Sequence, residues 1–211
     1  MFLAVARRRV LARAPALRTP SSSFQQRWAS GTTNLNSVTE QDLAHFSNFL
    51  APSSILSTLS PSNTPADELT VFNDDWMGKY KGKSTTVLKP RSTEEVSKIV
   101  KYCNEKRIGI VPQGGNTGLV GGSVPVRDEL ILNLSNLNKI RSFDPVSGKL
   151  VPSTLRSRFW SANTKPGILV ADAGCILQSL IDYLAPHHHI MPIDLGAKGR
   201  CVLSITHHTY N

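Results

Sequence analysis

The sequence predicts a mixed α/β domain of the α+β class, and three observations carry that expectation. Residues 85–111 read as strand, helix, strand; a glycine-dense loop follows the second strand directly; and a further apolar strand begins at Ile168. Thr85 to Lys89 is rich in β-branched residues, which suit a pleated, half-buried surface. Ser92 and Glu95 then form an S-x-x-E capping box. Val96, Ile99, Val100 and Cys103 recur at the i, i+3, i+4, i+7 spacing of one helical face. Ile108 to Val111 is a short apolar run that reads as a buried strand. Such a connection is right-handed, so the unit is a parallel β-α-β. Its loop leaves a strand's carboxyl end, where α/β folds collect ligands.

That loop is the most informative part of the chain. The run PQGGNTGLVGGSVP, Pro112 to Pro125, packs five glycines between Gly114 and Gly122. A segment so poor in Cβ atoms turns through positive φ and brings consecutive backbone N–H groups against an anion. It contains no lysine, and no Gly-Lys-Ser/Thr closes it, which excludes the P-loop of nucleotide hydrolases. Its glycine spacing does not match GxGxxG either. The anion is then held by backbone amides together with the short side chains of Asn116, Thr117 and Ser123. Glycine density alone is equally met by a flexible connection; the strand-helix-strand unit ahead of it favours the phosphate cradle.

From Thr85 to Gly148 the segments VLKPRSTEEVSKIV, PQGGNTGLVGGSVP, DELILNLSNLNKI and FDPVSG occur in order. They closely resemble the FAD-binding domain of flavoproteins related to vanillyl-alcohol oxidase and para-cresol methylhydroxylase. ILVADAGCILQSLIDYLAPHHHIMPIDLGAKG, Ile168 to Gly199, matches too, so the similarity covers residues 64–199 less one interruption. Within the superfamily the chain is most similar to the D-2-hydroxy-acid dehydrogenases. Asn116 and the GGS at Gly121 to Ser123 favour the D-2-hydroxyglutarate branch over the D-lactate branch.

The resemblance implies an FAD-binding domain of the para-cresol methylhydroxylase type. It puts the flavin diphosphate on the amides of Gly114, Gly115, Asn116, Thr117 and Gly118, with Gly121, Gly122 and Ser123 completing the turn. A second family segment that approaches the cofactor matches Pro192, Asp194, Leu195, Gly196 and Ala197. The implied partners are a small-molecule 2-hydroxy acid and an electron acceptor other than NAD. The implied reaction takes D-2-hydroxyglutarate to 2-oxoglutarate, and no residue of this chain is assigned a catalytic role. Asp74, Asp75 and Trp76 also match the family, and alone read as a helix end with a surface aromatic anchor.

Charge divides by region. Residues 1–30 hold six arginines and no acid, the pattern of a mitochondrial transit peptide, which implies a matrix location. Arginines and Pro15 break its apolar stretches, so neither a secretory signal nor a membrane span is expected. Residues 149–167 carry Lys149, Arg156, Arg158 and Lys165 and no acid. Of the net charge of +9, these two regions leave −1 for the remainder, which argues against a nucleic-acid-binding face.

The interruption at 149–167 separates two stretches that the family joins almost directly. Three readings stand for it: a tolerated surface loop, a lid or partner-binding loop around Phe159 and Trp160, or translated intron. The third is favoured because removing the segment restores the family pattern. From Arg200 the chain reads RCVLSITHHTYN where the family continues into a second glycine-rich stretch and a substrate domain. The expectation is therefore an incomplete second half of the fold, leaving a non-catalytic FAD-binding remnant or an unstable chain as the alternative to an enzyme. The expected organisation is a leader over 1–30, a polar entry segment over 31–66 with a helical stretch from Glu40 to Leu50, the FAD-binding region over 67–199, and a divergent tail over 200–211.

Two remaining groups are set aside. His187, His188 and His189 are consecutive, so their rings cannot converge on one metal from a strand or a helix. Cys103, Cys175 and Cys201 lack C-x-x-C spacing and read as free thiols.

Overall fold

A computed structural model of the chain describes residues 35–145, 167–193 and 195–202. The transit-peptide reading, nearly all of the 149–167 interruption, Asp194 and the tail beyond Val202 lie outside the described residues.

The first helix, α1 (Glu40–Ser47), starts at Thr39, whose hydroxyl accepts from the Asp42 N–H while the Asp42 carboxylate accepts from the Thr39 N–H at 2.8 Å. A strand, β1 (Ile55–Ser57), follows, then α2 (Ala66–Asn73) and β2 (Thr86–Leu88). The amphipathic α3 (Thr93–Lys106) leads to β3 (Ile110–Gln113) and β4 (Leu130–Asn133). A hairpin pair, β5 (Ile140–Asp144) and β6 (Ile168–Ala171), precedes α4 (Leu177–Leu184).

β1 to β4 form one sheet in the order β1-β2-β4-β3. β2 and β3 run parallel to β4, which lies between them, and β1 is antiparallel on the outside. The expected β-α-β unit is therefore present, with β4 inserted between its two strands. Pro112 sits on the edge strand β3, exposed, opposite Leu132.

Period-two alternation divides the sheet's apolar residues between two layers. Leu88, Leu130 and Leu132 face Leu43, Phe46, Ile99 and Cys103 of α1 and α3. Val87 and Ile131 face Leu69 of α2 on the other side. Each such buried side chain contributes about 1.5–3 kcal/mol relative to exposure, before the entropy of ordering it.

The structure departs from sequence expectation at three places here. The stretch expected as a polar entry segment supplies α1 and β1, and Leu43, Phe46, Leu50 and Ile55 belong to the main core; no seam falls at residue 66. Asp42 explains why α1 docks: it also accepts from the Tyr102 hydroxyl at 2.7 Å, which ties α1 to α3. The capping of α3 is shifted. Ser92 Oγ accepts from the Glu95 N–H as expected, but the Glu95 carboxylate accepts from Arg91 N–H at 2.6 Å instead of from Ser92. Val100 turns out 45% exposed, and Tyr102, partly buried against the core, takes its place on the packed face.

β5 and β6 pair antiparallel, with Asp144 opposite Ile168 and one irregularity between Ile140 and Ser142. Arg141 and Asp172 close the far end with a bidentate ion pair at 2.8 and 3.1 Å. His187 and His189 pack by their rings against Phe143, and His188 occupies the left-handed region at φ 58°.

Candidate functional site

The glycine-rich loop leaves β3 at Gln113, a polar side chain only 1% exposed. Its amide nitrogen donates to the carbonyls of Phe72 at 2.8 Å and Ser123 at 3.0 Å. Its oxygen accepts from Asn133 Nδ2 at 3.3 Å. The two ends of the loop are thereby tied to each other, to α2 and to β4.

Inside the loop, Asn116 takes φ +53°, a conformation asparagine tolerates better than most residues. Its Nδ2 donates to the Asp74 carbonyl at 2.6 Å, and its Oδ1 accepts from Ser123 Oγ at 2.6 Å. Gly121, at φ +71°, is backed by Tyr80: a Cβ there would stand 2.8 Å from the ring's Cγ. Tyr80 is in turn fixed by its N–H, which donates to Asp75 Oδ1 at 2.8 Å.

Side chains thus shape the loop through its carbonyls, and its N–H groups are left without described acceptors. Among the described residues, no backbone N–H from Gly114 to Ser123 donates to an acceptor in the chain, whereas the next, Val124, donates to the Gly121 carbonyl. Buried or semi-buried amides ordinarily find partners. A succession without a described acceptor leaves donors available to water or to an anion. This revises the expectation that Asn116 and Ser123 grip the anion by their side chains: both are spent on bracing the loop, and Thr117 alone keeps a hydroxyl that bonds no described residue.

The loop forms one wall of a cleft of about 720 Å³. Gly114, Gly115, Asn116, Thr117, Gly118, Gly122 and Ser123 line it, and the facing wall comes from Leu177, Ile193, Leu195, Cys201 and Val202. Gly121 turns behind the wall, and Pro192, Gly196 and Ala197 stand outside the lining. The facing wall is anchored to the start of α4: Leu177 N–H donates to the Cys201 carbonyl at 2.9 Å and Gln178 N–H to that of Lys198 at 3.0 Å. The Arg200 carbonyl lies against Gly115 so closely that no Cβ fits between them.

Volume and polarity suit a large, mostly apolar ligand with an anionic group, since ligand clefts run from about 300 to 1,000 Å³. Among the described residues, no charged side chain lines the cleft. A Cβ on Gly118 or Gly122 would meet nothing within 4 Å, so the backbone there is open to a ligand.

Groups with displaced pKa values lie elsewhere. Burial pushes the Cys103 thiol up to about 12, and burial with the neighbouring Asp42 raises Tyr102 to about 12. Burial pushes Asp42 upward too, yet hydrogen bonds from Thr39 and Tyr102 outweigh it and hold its carboxyl below the ordinary range. These groups fasten α1 to α3, away from the cleft.

Sequence reasoning missed Gln113, Tyr80, Leu177, Ile193, Cys201 and Val202. Gln113 could have been found, because a glutamine ending a predicted buried strand needs partners; the apolar wall carries no such signal.

Such a loop at the carboxyl end of a parallel strand suits a nucleotide-binding domain, and comparison with known proteins names its family. The chain belongs to the FAD-binding domain family, whose model matches residues 84–205, and its cofactor is FAD. The fold is shared with two solved structures: an alkyldihydroxyacetonephosphate synthase, with a TM-score of 0.55 and 16% identity over 81% of this chain and 29% of that one, and p-cresol methylhydroxylase, with a TM-score of 0.50 and 20% identity over 72% and 26%. Among sequences, the D-2-hydroxyglutarate--pyruvate transhydrogenase of Saccharomyces cerevisiae is 43% identical over 80% of this chain and 29% of its own. The mitochondrial D-2-hydroxyglutarate dehydrogenase of Arabidopsis thaliana is 43% identical over 79% and 25%. The chain therefore spans between a quarter and a third of the length of these curated relatives.

The residues present fit that cofactor. FAD needs a place for two phosphates and an apolar-walled slot beside it; the free amides of the loop offer the first and the facing Leu177, Ile193 and Leu195 the second.

Proposed function

We propose that this domain holds the diphosphate of FAD on the backbone amides of Gly114, Gly115, Asn116, Thr117 and Gly118, with Gly121, Gly122 and Ser123 shaping the return of the loop. Leu195 forms part of the opposite wall, and Pro192, Gly196 and Ala197 set the course of the segment that carries it; Asp194, outside the described residues, belongs to the same cofactor-approaching segment by resemblance. The observation that supports this reading most strongly is the row of amides without acceptors among the described residues.

Bound FAD supplies a ring that accepts a hydride from carbon. The residues of this chain orient it: the loop fixes the phosphates, the apolar wall excludes water, and Gln113, Asn116 and Tyr80 hold the loop in its binding shape. The proposed reaction is oxidation of a D-2-hydroxy acid to the 2-oxo acid, with D-2-hydroxyglutarate as substrate, as the names of the relatives suggest. Electrons then pass to an acceptor other than NAD. The Arg-rich leader directs the chain to the mitochondrial matrix. Residues 149–167 are, on this reading, dispensable to the domain.

The test is direct. The purified chain is titrated with FAD by flavin fluorescence, then assayed with D-2-hydroxyglutarate and D-lactate and a dye acceptor. Saturable binding with turnover supports the whole reading; binding without turnover reduces it to an FAD-binding module; absence of binding removes it. Turnover of D-lactate in preference to D-2-hydroxyglutarate reassigns the substrate.

A further inference from the structure

From the geometry around the loop we infer that Gln113 is the positioning residue of the cofactor site: its side chain, touching no ligand, holds the amides of residues 114–123 in a ligand-ready arrangement before the ligand arrives. The inference rests on the FAD reading above and adds a residue and a mechanism to it.

The argument begins with what a loop of this composition does unaided. Five glycines between Gly114 and Gly122 give the backbone wide conformational freedom, and a loop free to wander must be ordered on binding. Internal backbone hydrogen bonds would fix it, but they would consume the donors that an anion needs. The molecule resolves this by fixing the loop with side chains. Gln113 Nε2 clamps the Ser123 carbonyl at the far end of the loop and the Phe72 carbonyl of α2 at once, and Asn133 of the neighbouring strand fixes the amide's orientation. From Ser123 the chain of bonds continues through its hydroxyl to Asn116 and through Asn116 to the Asp74 carbonyl. Every link runs between side chains or from a side chain to a carbonyl. None uses a loop N–H. At 1% exposure, Gln113 itself is shielded from competing water, which strengthens its bonds and makes their loss costly.

Preorganisation of this kind appears as affinity, since a loop already ordered loses less freedom on binding. Gln113→Met preserves bulk and removes all three bonds. It is expected to raise the Kd for FAD at least tenfold and to speed hydrogen exchange of the Gly114–Ser123 amides in the cofactor-free protein. Ile99→Val, a core substitution on α3, is the control: it lowers the thermal midpoint and leaves the Kd within twofold of wild type. Ser123→Ala, which cuts the outer link without disturbing the sheet, raises the Kd threefold or more. The Gln113→Met/Ser123→Ala double variant falls short of the product of the two effects, because both act by freeing one loop.

A Gln113→Met Kd within twofold of wild type overturns the inference. If that variant does not fold, an unchanged Kd for Ser123→Ala overturns it alone. Failure of the wild-type chain to bind FAD would strike the proposed function instead, so the two readings fail separately.

Discussion

Gly121→Ala isolates the part of the site where backbone conformation and packing act together. At φ +71°, an alanine pays the left-handed penalty of an L-residue, on the order of 1 kcal/mol. The new methyl also meets the Tyr80 ring, with the ring's Cγ at 2.8 Å and its two Cδ atoms at 2.9 and 3.0 Å. Carbon contacts are ordinarily about 3.5–4.0 Å, so the ring must retreat by roughly 0.7 Å or more. Its N–H anchor to Asp75 resists that movement, and overpacking of this kind costs about 1–3 kcal/mol. The expected destabilisation is therefore roughly 2–4 kcal/mol, measured by urea unfolding of the cofactor-free protein. In the Gly121→Ala/Tyr80→Leu double variant the packing part is relieved and about 1 kcal/mol of conformational cost remains. Gly118→Ala, with open space around its Cβ and no positive φ, is expected to change stability by less than about 0.5 kcal/mol. A Gly121→Ala variant as stable as Gly118→Ala would refute this account of the turn.

Gly115→Ala is expected to displace the Arg200 carbonyl, and hydrogen exchange at Leu177 and Gln178 N–H should accelerate as the facing wall lifts; unchanged protection there would count against the described packing. FAD affinity should fall less than about threefold between 50 and 500 mM salt, because among the described residues no cation lines the cleft, and a tenfold loss would point to an ion pair outside them. Stability should fall at both ends of the pH range. Asp42 has a depressed carboxyl pKa, so its contribution is complete above the unfolded value and is lost as pH drops below about 4. Cys103 and Tyr102 are raised, so their contributions are complete below the unfolded values and are lost between about pH 9 and 12. Asp42→Asn should flatten the acid limb and also weaken the alkaline one, because the Asp42 charge is part of what raises Tyr102 and Cys103, as chemical denaturation at several pH values would report. Excising residues 149–167 leaves four residues to join Asp144 to Ile168, a common hairpin length; shortening the connection is expected to stabilise the protein by roughly 1.5 kcal/mol. Loss of folding on excision would show that the segment is structural.

How far the sequence revealed all this depended on how local the governing interactions are. α3 was legible because its cap and its apolar face lie within one short stretch. The same locality misled at Val100, where periodicity alone could not separate the packed Tyr102 side of the helix from the exposed one. The core role of residues 40–57 was hidden because their partners, Tyr102 and the strand at Thr86, are distant in sequence and Asp42 reads as a surface charge. The glycine loop was legible as a turn with accessible amides, since amide exposure follows from missing Cβ atoms. The division of labour inside it was not. Asn116 and Ser123 look like ligand donors until Asp74 and each other are seen to occupy them, and the Gln113 bonds span gaps that no spacing rule covers.

Pro112 settles where the main sheet stops. In the β3–β4 ladder the amides of Val111 and Gln113 face β4, so a residue between them directs its nitrogen outward, and proline there sacrifices no bond. The same substitution denies any newcomer a donor at the middle of that rim. Pairing of a further strand, or of the rim of another molecule, is weakened there, so one ring makes this short border a poor template for self-association.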